Sequence, residues 1–540
     1  MTERQGYLAL VLHTHLPFVR HPEHPSFLEE RWLFEAITET YLPLLERFQR
    51  LSGDGVPFRV AMSFTPTLLA MLADPLLQAR YLRHLEQLIE LSEKEIQRTR
   101  WMPPFHRLAL FYHHRFTAAR RRYTDEYRRN LIAPFRELAD RGHLELIASC
   151  ATHGYLPLMD TQRAAVRAQI HLGVQAFEHA FGRTPKGFWL PECGYHSGHD
   201  VYLKERGVRY FLTDAHGILF GSPRPKYGVY APVLCPSSGV AAFGRDLESS
   251  KSVWSAEEGY PGHPAYREFY RDIGFDLEYD YVRPYLNGDG ARLHTGIKYH
   301  RITGKTSDKQ PYDPDRAIDT AAAHAGNFLF NRGKQIEFLR TVIDRAPIIV
   351  SPYDAELFGH WWFEGPDWIE CLIRKTHSDQ QALELIAPSD YFERHPMNQI
   401  LEPSMSSWGN GGYSDVWLNG ANDWIYRHLH KMAERMTEAA DAHPRTDSVR
   451  VRVLNQMARE LCLAQASDWA FILKTQTHTA YAYRRLRDHL ARFTWLYDAV
   501  TRHGADDRRE SCSTQEEQEL AALESADNVF PFVDYRLYRS

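Results

Sequence analysis

No two cysteines in this 540-residue chain are spaced as a CxxC pair. The six, Cys150, Cys193, Cys235, Cys371, Cys462 and Cys512, stand singly along the chain. That excludes a zinc ribbon and gives no sign of a disulfide framework. Long apolar runs are also missing. The N-terminal stretch MTERQGYLALVLHTHLP has an apolar run only over residues 7–12, before two histidines. That is too short for the core of a secretory signal, and nothing elsewhere approaches a membrane span. A reducing, cytoplasmic location is expected, with no membrane partner. Blocks of one charge sign are absent and the formal net charge is −5, so nothing points to nucleic acid as a partner. Neither repeats nor low-complexity tracts occur.

What is present is ample material for a core, 44% apolar residues, together with 12 Trp and 29 Tyr. Trp and Tyr supply flat apolar faces with one polar edge, suited to a core or to stacking on sugar rings. Short β-rich runs recur at Tyr7–Leu12, Phe58–Met62, Leu144–Ser149, Gly187–Leu190, Val208–Thr213, Val240–Phe243 and Ile348–Ser351. They are apolar on successive residues, the pattern of strands covered on both faces, and helical patterns such as Arg163–Phe181 lie between them. An α/β chain with a (β/α) barrel of about seven strands is the expected fold. Residues 73–141 read as a helical insertion, so the barrel comprises 1–72 and 142–385. After about residue 386 no strand is expected, and 386–540 read as a C-terminal helical domain broken at AHPRTDS, 442–448. A cluster of Gly, Pro and Asp at 284–316 reads as an irregular excursion.

Six of these runs end in polar, ionisable residues: His13 and His15, His153, Glu192, Asp214 and His216, Arg245 and Asp246, and Asp354. In a barrel the C-terminal strand ends form one rim, where active sites sit. Glu192 in WLPECGY and Asp354 in SPYDAELFGHWW each follow an apolar run, with a proline stiffening the turn. Two facing carboxyl groups are what a glycosidic bond requires. His13-x-His15 also fits a zinc chelate completed by Asp214, His216 or His153, or a pair of ligands for sugar hydroxyls. His360 in GHWW reads as packing or support. Trp254 follows SSKSV, while Trp408, Trp417 and Trp424 lie in the glycine-rich stretch PSMSSWGNGGYSDVWLNGANDW. Glycines of that density break a helical core stripe, so exposed tryptophan platforms for sugars are expected there.

On HTHLPF (13–18), ASCATHGYLP (148–157), WLPECGY (189–195), SPYDAELFGHWWFEGP (351–366) and SSWGNGGYSDVWLNGANDWIYRH (406–428), in that order, the chain resembles glycoside hydrolase family 57, and within it the 1,4-α-glucan (glycogen) branching enzymes. The resemblance implies a distorted seven-stranded (β/α) barrel with a helical insertion and a C-terminal all-helical domain that reaches the active site. It implies a retaining transfer on α-glucan, with Glu192 as nucleophile and Asp354 as general acid/base, whose pKa must be raised by burial and by the nucleophile's charge. It places His13, His15, His153, Arg245 and Asp246 at the donor sugar. Trp254, Trp408 and Trp417 would guide the glucan, Asp468 in QASDWAF would reach in from the helical domain, and Tyr230 would lie on a loop covering the cleft. No metal or cofactor is implied, and the expected assembly is a monomer or small homo-oligomer. Hydrolysis or 4-α-glucanotransfer by the same residues, a metal-dependent deacetylase or mannosidase, and a non-catalytic glucan-binding protein are the competing readings. One departure is Pro25 in HPSFLEE, where such enzymes often carry Trp; Trp32 lies nearby.

Overall fold

Apolar runs without alternation need neighbours on both faces, and in the computed structural model they are neighbours in one sheet. The structure describes residues 5–255, 257–286, 290–445, 448–503 and 514–540. Cys512, residues 446–447 of the expected break and residues 287–289 of the expected excursion lie outside the described residues. The strands are β1 Gly6–Thr14, β2 Val60–Phe64, β3 Leu144–Ser149, β4 Gly187–Trp189, β5 Tyr210–Thr213, β6 Val233–Leu234, β7 Ala241–Gly244, β8 Ile348–Asp354, β9 Leu383–Leu385 and β10 Gln399–Ile400. Their order is β10-β6-β7-β5-β4-β3-β2-β1-β8, with β9 on β1. Every pairing is parallel except β6 with β7.

The expected seven runs are therefore joined by three strands of two or three residues, one of which, β10, lies beyond residue 386. Strands that short carry no readable period, and each is held by its neighbour rather than by its own composition. The sheet curls until its ends approach. Ile348 N–H donates to Tyr230 O and Asp246 N–H to Val350 O, both at 2.9 Å, so β8 meets the segments flanking β6 and β7 through isolated bonds instead of a ladder. This is the distortion of the barrel.

Helices cover the sheet. Arg163–Phe181 lies so close to β3 that a Cβ on Gly173 would come 2.0 Å from the Ser149 carbonyl oxygen. Between β2 and β3 the chain forms Pro66–Ala73, Pro75–Arg98, Pro103–Arg121 and Ile132–Asp140. The second is capped by Asp74, whose side chain accepts from Leu77 N–H. After β10 the chain is helical: Trp424–Ala442, Ser448–Ala464, Ser467–Thr475, Thr479–His503 and Thr514–Ala526. The C-terminal residues return to the barrel, where Arg167 donates to the Leu537 carbonyl at 3.0 Å. Among the described residues no helix is long and apolar enough to cross a membrane.

Candidate active site

Parallel pairing gathers like ends of strands. The β1–β8 register runs from Tyr7 opposite Ile348 to His13 opposite Asp354, and β1–β2 sets His13 opposite Ser63. Asp354 is thus the last residue of a strand longer than its apolar run. Glu192 follows β4 in the 3₁₀ turn Pro191–Cys193. Its φ is 58°, that of Cys193 49° and that of His153 56°, three non-glycine residues in the left-handed region at one rim. Such backbone costs about 1–3 kcal/mol per residue and persists only where the surroundings fix it. Here the Glu192 carbonyl accepts from Trp408 N–H at 2.7 Å, and a bridge pairs Gly154 with Ala466.

A chain of hydrogen bonds leads to Glu192. Ser467 Oγ–H donates to Glu192 Oε1 at 2.8 Å. That hydroxyl must then accept from His153 Nδ1–H, 2.9 Å away. His153 Nε2 is left as an acceptor for His13 Nε2–H at 3.0 Å, and His13 Nδ1 accepts from Ser63 Oγ–H at 2.5 Å. Each imidazole carries one proton in this order. Burial, reinforced by neighbouring imidazoles, pushes both His13 and His153 well below the ordinary histidine pKa and keeps them neutral. Trp189 stacks on His13 at 4.3 Å, and His15 stacks on His153 at 3.9 Å.

His15 behaves differently. Burial alone would lower its pKa, but Asp468, 3.1 Å from Nε2, together with the charges of Glu192 and Glu356, outweighs burial and holds it above the ordinary value. The carboxyl groups go up. Burial raises Glu192 to about 8, against the Ser467 bond and with help from Asp354 and Asp468. Burial raises Asp354 to about 6, with His15 and Arg245 pulling it back. Of the two causes expected to lift Asp354, burial is the one that acts on it, while the repulsion between the two carboxyl groups falls on Glu192, the more basic of the pair. At neutral pH the pair holds one proton. A third half-buried carboxyl, Glu356, is pushed to about 7 by desolvation; it accepts from Tyr41 O–H at 2.5 Å and from His15 N–H at 3.3 Å.

The remaining expected residues divide. Arg245 donates to Asp214 at 2.6 Å and lies over the Trp408 ring at 5.4 Å. Asp246 caps the helix Leu247–Trp254 and binds Arg332 at 3.2 Å and Gln335 at 2.8 Å, so its oxygens are engaged within the wall. Tyr230 departs from its expected place. Its carbonyl bonds Ile348, six residues or roughly 20 Å along β8 from Asp354, and its hydroxyl meets Gln335 at 3.3 Å. That is the barrel wall, away from the carboxyl groups. The tryptophans also correct the expectation of exposed platforms. Trp408 and Trp417 are buried, with only 8% and 2% of their surfaces exposed, and Trp254 alone of the three is open at 43%. The glycine-rich loop turns inward because Gly409, Gly411 and Gly412 take positive φ, which packs Trp417 on Tyr155 at 4.8 Å and Trp408 edge-on to Trp189 at 5.0 Å. Trp254 meets Trp408 edge-to-face at 6.5 Å. His360 bonds Glu39 at 2.7 Å, and Trp32 packs on His478 and Tyr481 at 5.2 and 5.8 Å.

As for a metal, Asp214 and His216 are taken up by Arg245 and by the Gly412 carbonyl, the latter at 2.7 Å. His15, His153 and Asp468 do converge, with donor atoms within 4.8 Å of one another. Asp468 is bonded to His15 and both ring nitrogens of His153 belong to the chain that ends at Glu192, so these donors already have protein partners. Sequence reading missed Ser467, Ser63, Tyr41 and Glu356. Glu356 had a signal, lying two residues beyond Asp354 in the same motif; a single serine had none.

Comparison with known proteins adds the following. The family described as glycosyl hydrolase family 57 matches residues 9–404, and that described as the 1,4-alpha-glucan branching enzyme C-terminal domain matches residues 428–538. A 1,4-alpha-glucan branching enzyme of Thermococcus kodakarensis is 33% identical over 528 residues, covering 92% of this chain and 74% of its own. Among solved structures, an alpha-amylase of Thermotoga maritima is 44% identical with a TM-score of 0.90, covering 99% of both chains. A family 57-type branching enzyme of Pyrococcus horikoshii is 32% identical with a TM-score of 0.88, covering 99% of this chain and 97% of its own.

Proposed function

From the premise that this chain belongs to glycosyl hydrolase family 57, we propose that the rim built by β1, β3, β4 and β8 carries out glucan branching, with Glu192 as nucleophile and Asp354 as general acid/base. The enzyme cleaves an α-1,4-glucan and transfers the released segment to a glucan 6-hydroxyl. The observation that carries the reading is the pair itself: two half-buried carboxyl groups, Glu192 in the turn after β4 and Asp354 at the end of β8, at the same rim of one parallel sheet, both with raised pKa. Ionised Glu192 attacks the anomeric carbon while Asp354 protonates the departing oxygen. A covalent glycosyl ester forms on Glu192 and the C1–O4 bond breaks. Asp354 then takes the proton of the acceptor's 6-hydroxyl, whose oxygen displaces Glu192 and leaves an α-1,6 bond. Before attack the proton has to pass from Glu192 to Asp354. The Ser467 hydroxyl stabilises the carboxylate that this leaves.

In this reading His13, His15, His153, Arg245 and Asp468 surround the donor sugar, Trp254 and the edge of Trp408 meet the chain, and Asp246, Trp417 and Tyr230 shape the wall that holds them. The barrel comprises 1–72 and 142–385, 73–141 is an insertion, and 386–540 contribute Ser467 and Asp468. The five described cysteines are free thiols, which fits a cytoplasmic location.

Hydrolysis is the second reading, favoured by the 44% identity with an alpha-amylase and by Pro25 where branching enzymes often carry Trp. The two differ only in whether water or a sugar hydroxyl reaches the glycosyl ester. Incubation with amylose decides: linkages newly sensitive to a debranching enzyme, without matching reducing ends, are expected. Reducing ends alone would assign the chain to hydrolysis.

A further inference from the structure

Arg115, in the helix Pro103–Arg121, is half-buried, yet among the described residues it forms no ion pair and its Nη2 has no hydrogen-bond partner. Arg47, which lines the same pocket, shows the ordinary arrangement. Desolvation would lower its pKa, but Asp367 at 2.8 Å and Glu46 at 3.1 Å outweigh it. Arg115 has no such support. Desolvation holds its pKa below the ordinary value, because Arg267 and Arg47 counter the pull of Glu39 and Asp367. A guanidinium removed from water without a carboxylate is costly, and the unpaired donor asks for a partner.

The pocket that Arg115 lines measures about 410 Å³ and lies between its helix and the helix Leu42–Gly53. The acid in its wall is Glu46, whose charge Arg122 and Arg47 already match. The Arg115 guanidinium lies over the Phe363 ring, 4.3 Å from its centre. Contact with a ring face leaves the in-plane N–H donors free. The Thr117 hydroxyl oxygen, in the same wall, is also buried without a partner. Helical threonines elsewhere in the chain turn to the carbonyl four residues back, as Thr376 and Thr437 do at 2.7 and 3.1 Å. Arg121 adds a second cation to the pocket, since its 3.5 Å pair with Glu126 joins two exposed side chains and is weak.

We propose that this pocket, with Arg115 and Thr117 at its centre, binds a phosphate dianion, either free or as the monoester of a small molecule. The planar fork of an arginine matches two phosphate oxygens at once, and the threonine hydroxyl donates to a third. Leu42, Pro43 and Phe111 supply apolar wall for the organic part of an ester. The volume falls in the range of roughly 300–1,000 Å³ that small-molecule sites occupy. The pocket also touches the catalytic machinery through one element. Thr38 lines it and belongs to the π-helical turn Ile37–Tyr41, whose Tyr41 hydroxyl bonds Glu356 at 2.5 Å. Single π-helical turns of this kind are frequent at functional sites.

The test is calorimetric titration of the full-length protein at pH 7.5 with inorganic phosphate and, separately, with glucose 6-phosphate, using glucose as the uncharged control. One equivalent is expected to bind, weakened at least tenfold in Arg115→Gln and unchanged in Arg136→Gln, which alters the helix Ile132–Asp140 instead. Ala118→Glu keeps Arg115 but sets a carboxylate into the pocket wall, and it is expected to weaken binding as much. Its half-exposed position should leave the ligand-free melting temperature near that of the parent, which separates lost binding from lost folding. Tighter binding of the ester than of free phosphate would identify a phosphorylated small molecule as the ligand; equal binding would identify phosphate itself. No binding of either at millimolar concentration, or binding that survives both Arg115→Gln and Ala118→Glu, overturns the site. Branching activity is not the readout, so failure here leaves the proposed function standing.

Discussion

A half-buried glutamic acid near two other carboxyl groups is costly to ionise, and Glu192 at about 8 carries that cost in its titration. The reactive state has one proton on the Glu192–Asp354 pair. Below about 6 both are protonated and the nucleophile is lost; above about 8 both are ionised and the acid is lost. The pH profile of kcat/KM is expected to be a bell with limbs near those two values. Glu192→Gln removes the nucleophile, and activity should fall by on the order of 10⁴-fold or more. The same substitution should stabilise the protein in alkali. The folded pKa of Glu192 exceeds the value of about 4.3 in an unfolded chain, so wild-type stability drains away as pH rises between them. Calorimetry should find the Gln variant melting higher than wild type at pH 8.5 and no higher at pH 5. Ser467→Ala removes the hydroxyl that lowers the Glu192 pKa. Its alkaline limb should move up, with kcat reduced roughly 10–100-fold, on the scale of a lost charge-assisted bond. A kcat loss with an unmoved limb would contradict the relay.

The helix Arg163–Phe181 touches β3 only because position 173 has no side chain. Gly173→Ala forces its methyl against the Ser149 carbonyl, and unfolding should be easier by about 1–3 kcal/mol. Gly173 bonds no site residue, so kcat well below the melting temperature should stay near wild type; a collapse in kcat without a stability loss would contradict this packing account. Elements were legible where burial is two-sided. The runs at β1, β3 and β8 announce themselves because a strand covered on both faces tolerates few polar residues. The strands β6, β9 and β10 span two or three residues, and their pairing is set by distant chain segments that no local pattern encodes. The glycine-rich loop was legible as a loop, but not its direction. Positive φ at Gly409, Gly411 and Gly412 turns Trp408 and Trp417 inward, and only tertiary packing decides that turn.

At the scale of the whole molecule, the site is an agreement between two parts of the chain. The barrel supplies the carboxyl groups and the histidines; the helical part supplies Ser467 and Asp468 from the first turn of one helix. Strand-end reasoning reached Glu192, Asp354, His13, His15 and His153 because parallel strands deliver their C-terminal ends to one rim. It reached neither Ser467 nor Ser63, since a hydroxyl acquires meaning only from what it faces. Asp468 was within reach through the family resemblance alone. The central claim is that Glu192, held by this convergence, becomes covalently glycosylated during transfer. Peptide mass spectrometry of Asp354→Asn, quenched during turnover of an activated α-glucosyl donor, tests it most directly. A glycosyl ester on the peptide containing Glu192 is the predicted result, because the slowed second step lets the intermediate accumulate; an adduct on any other residue would contradict the account.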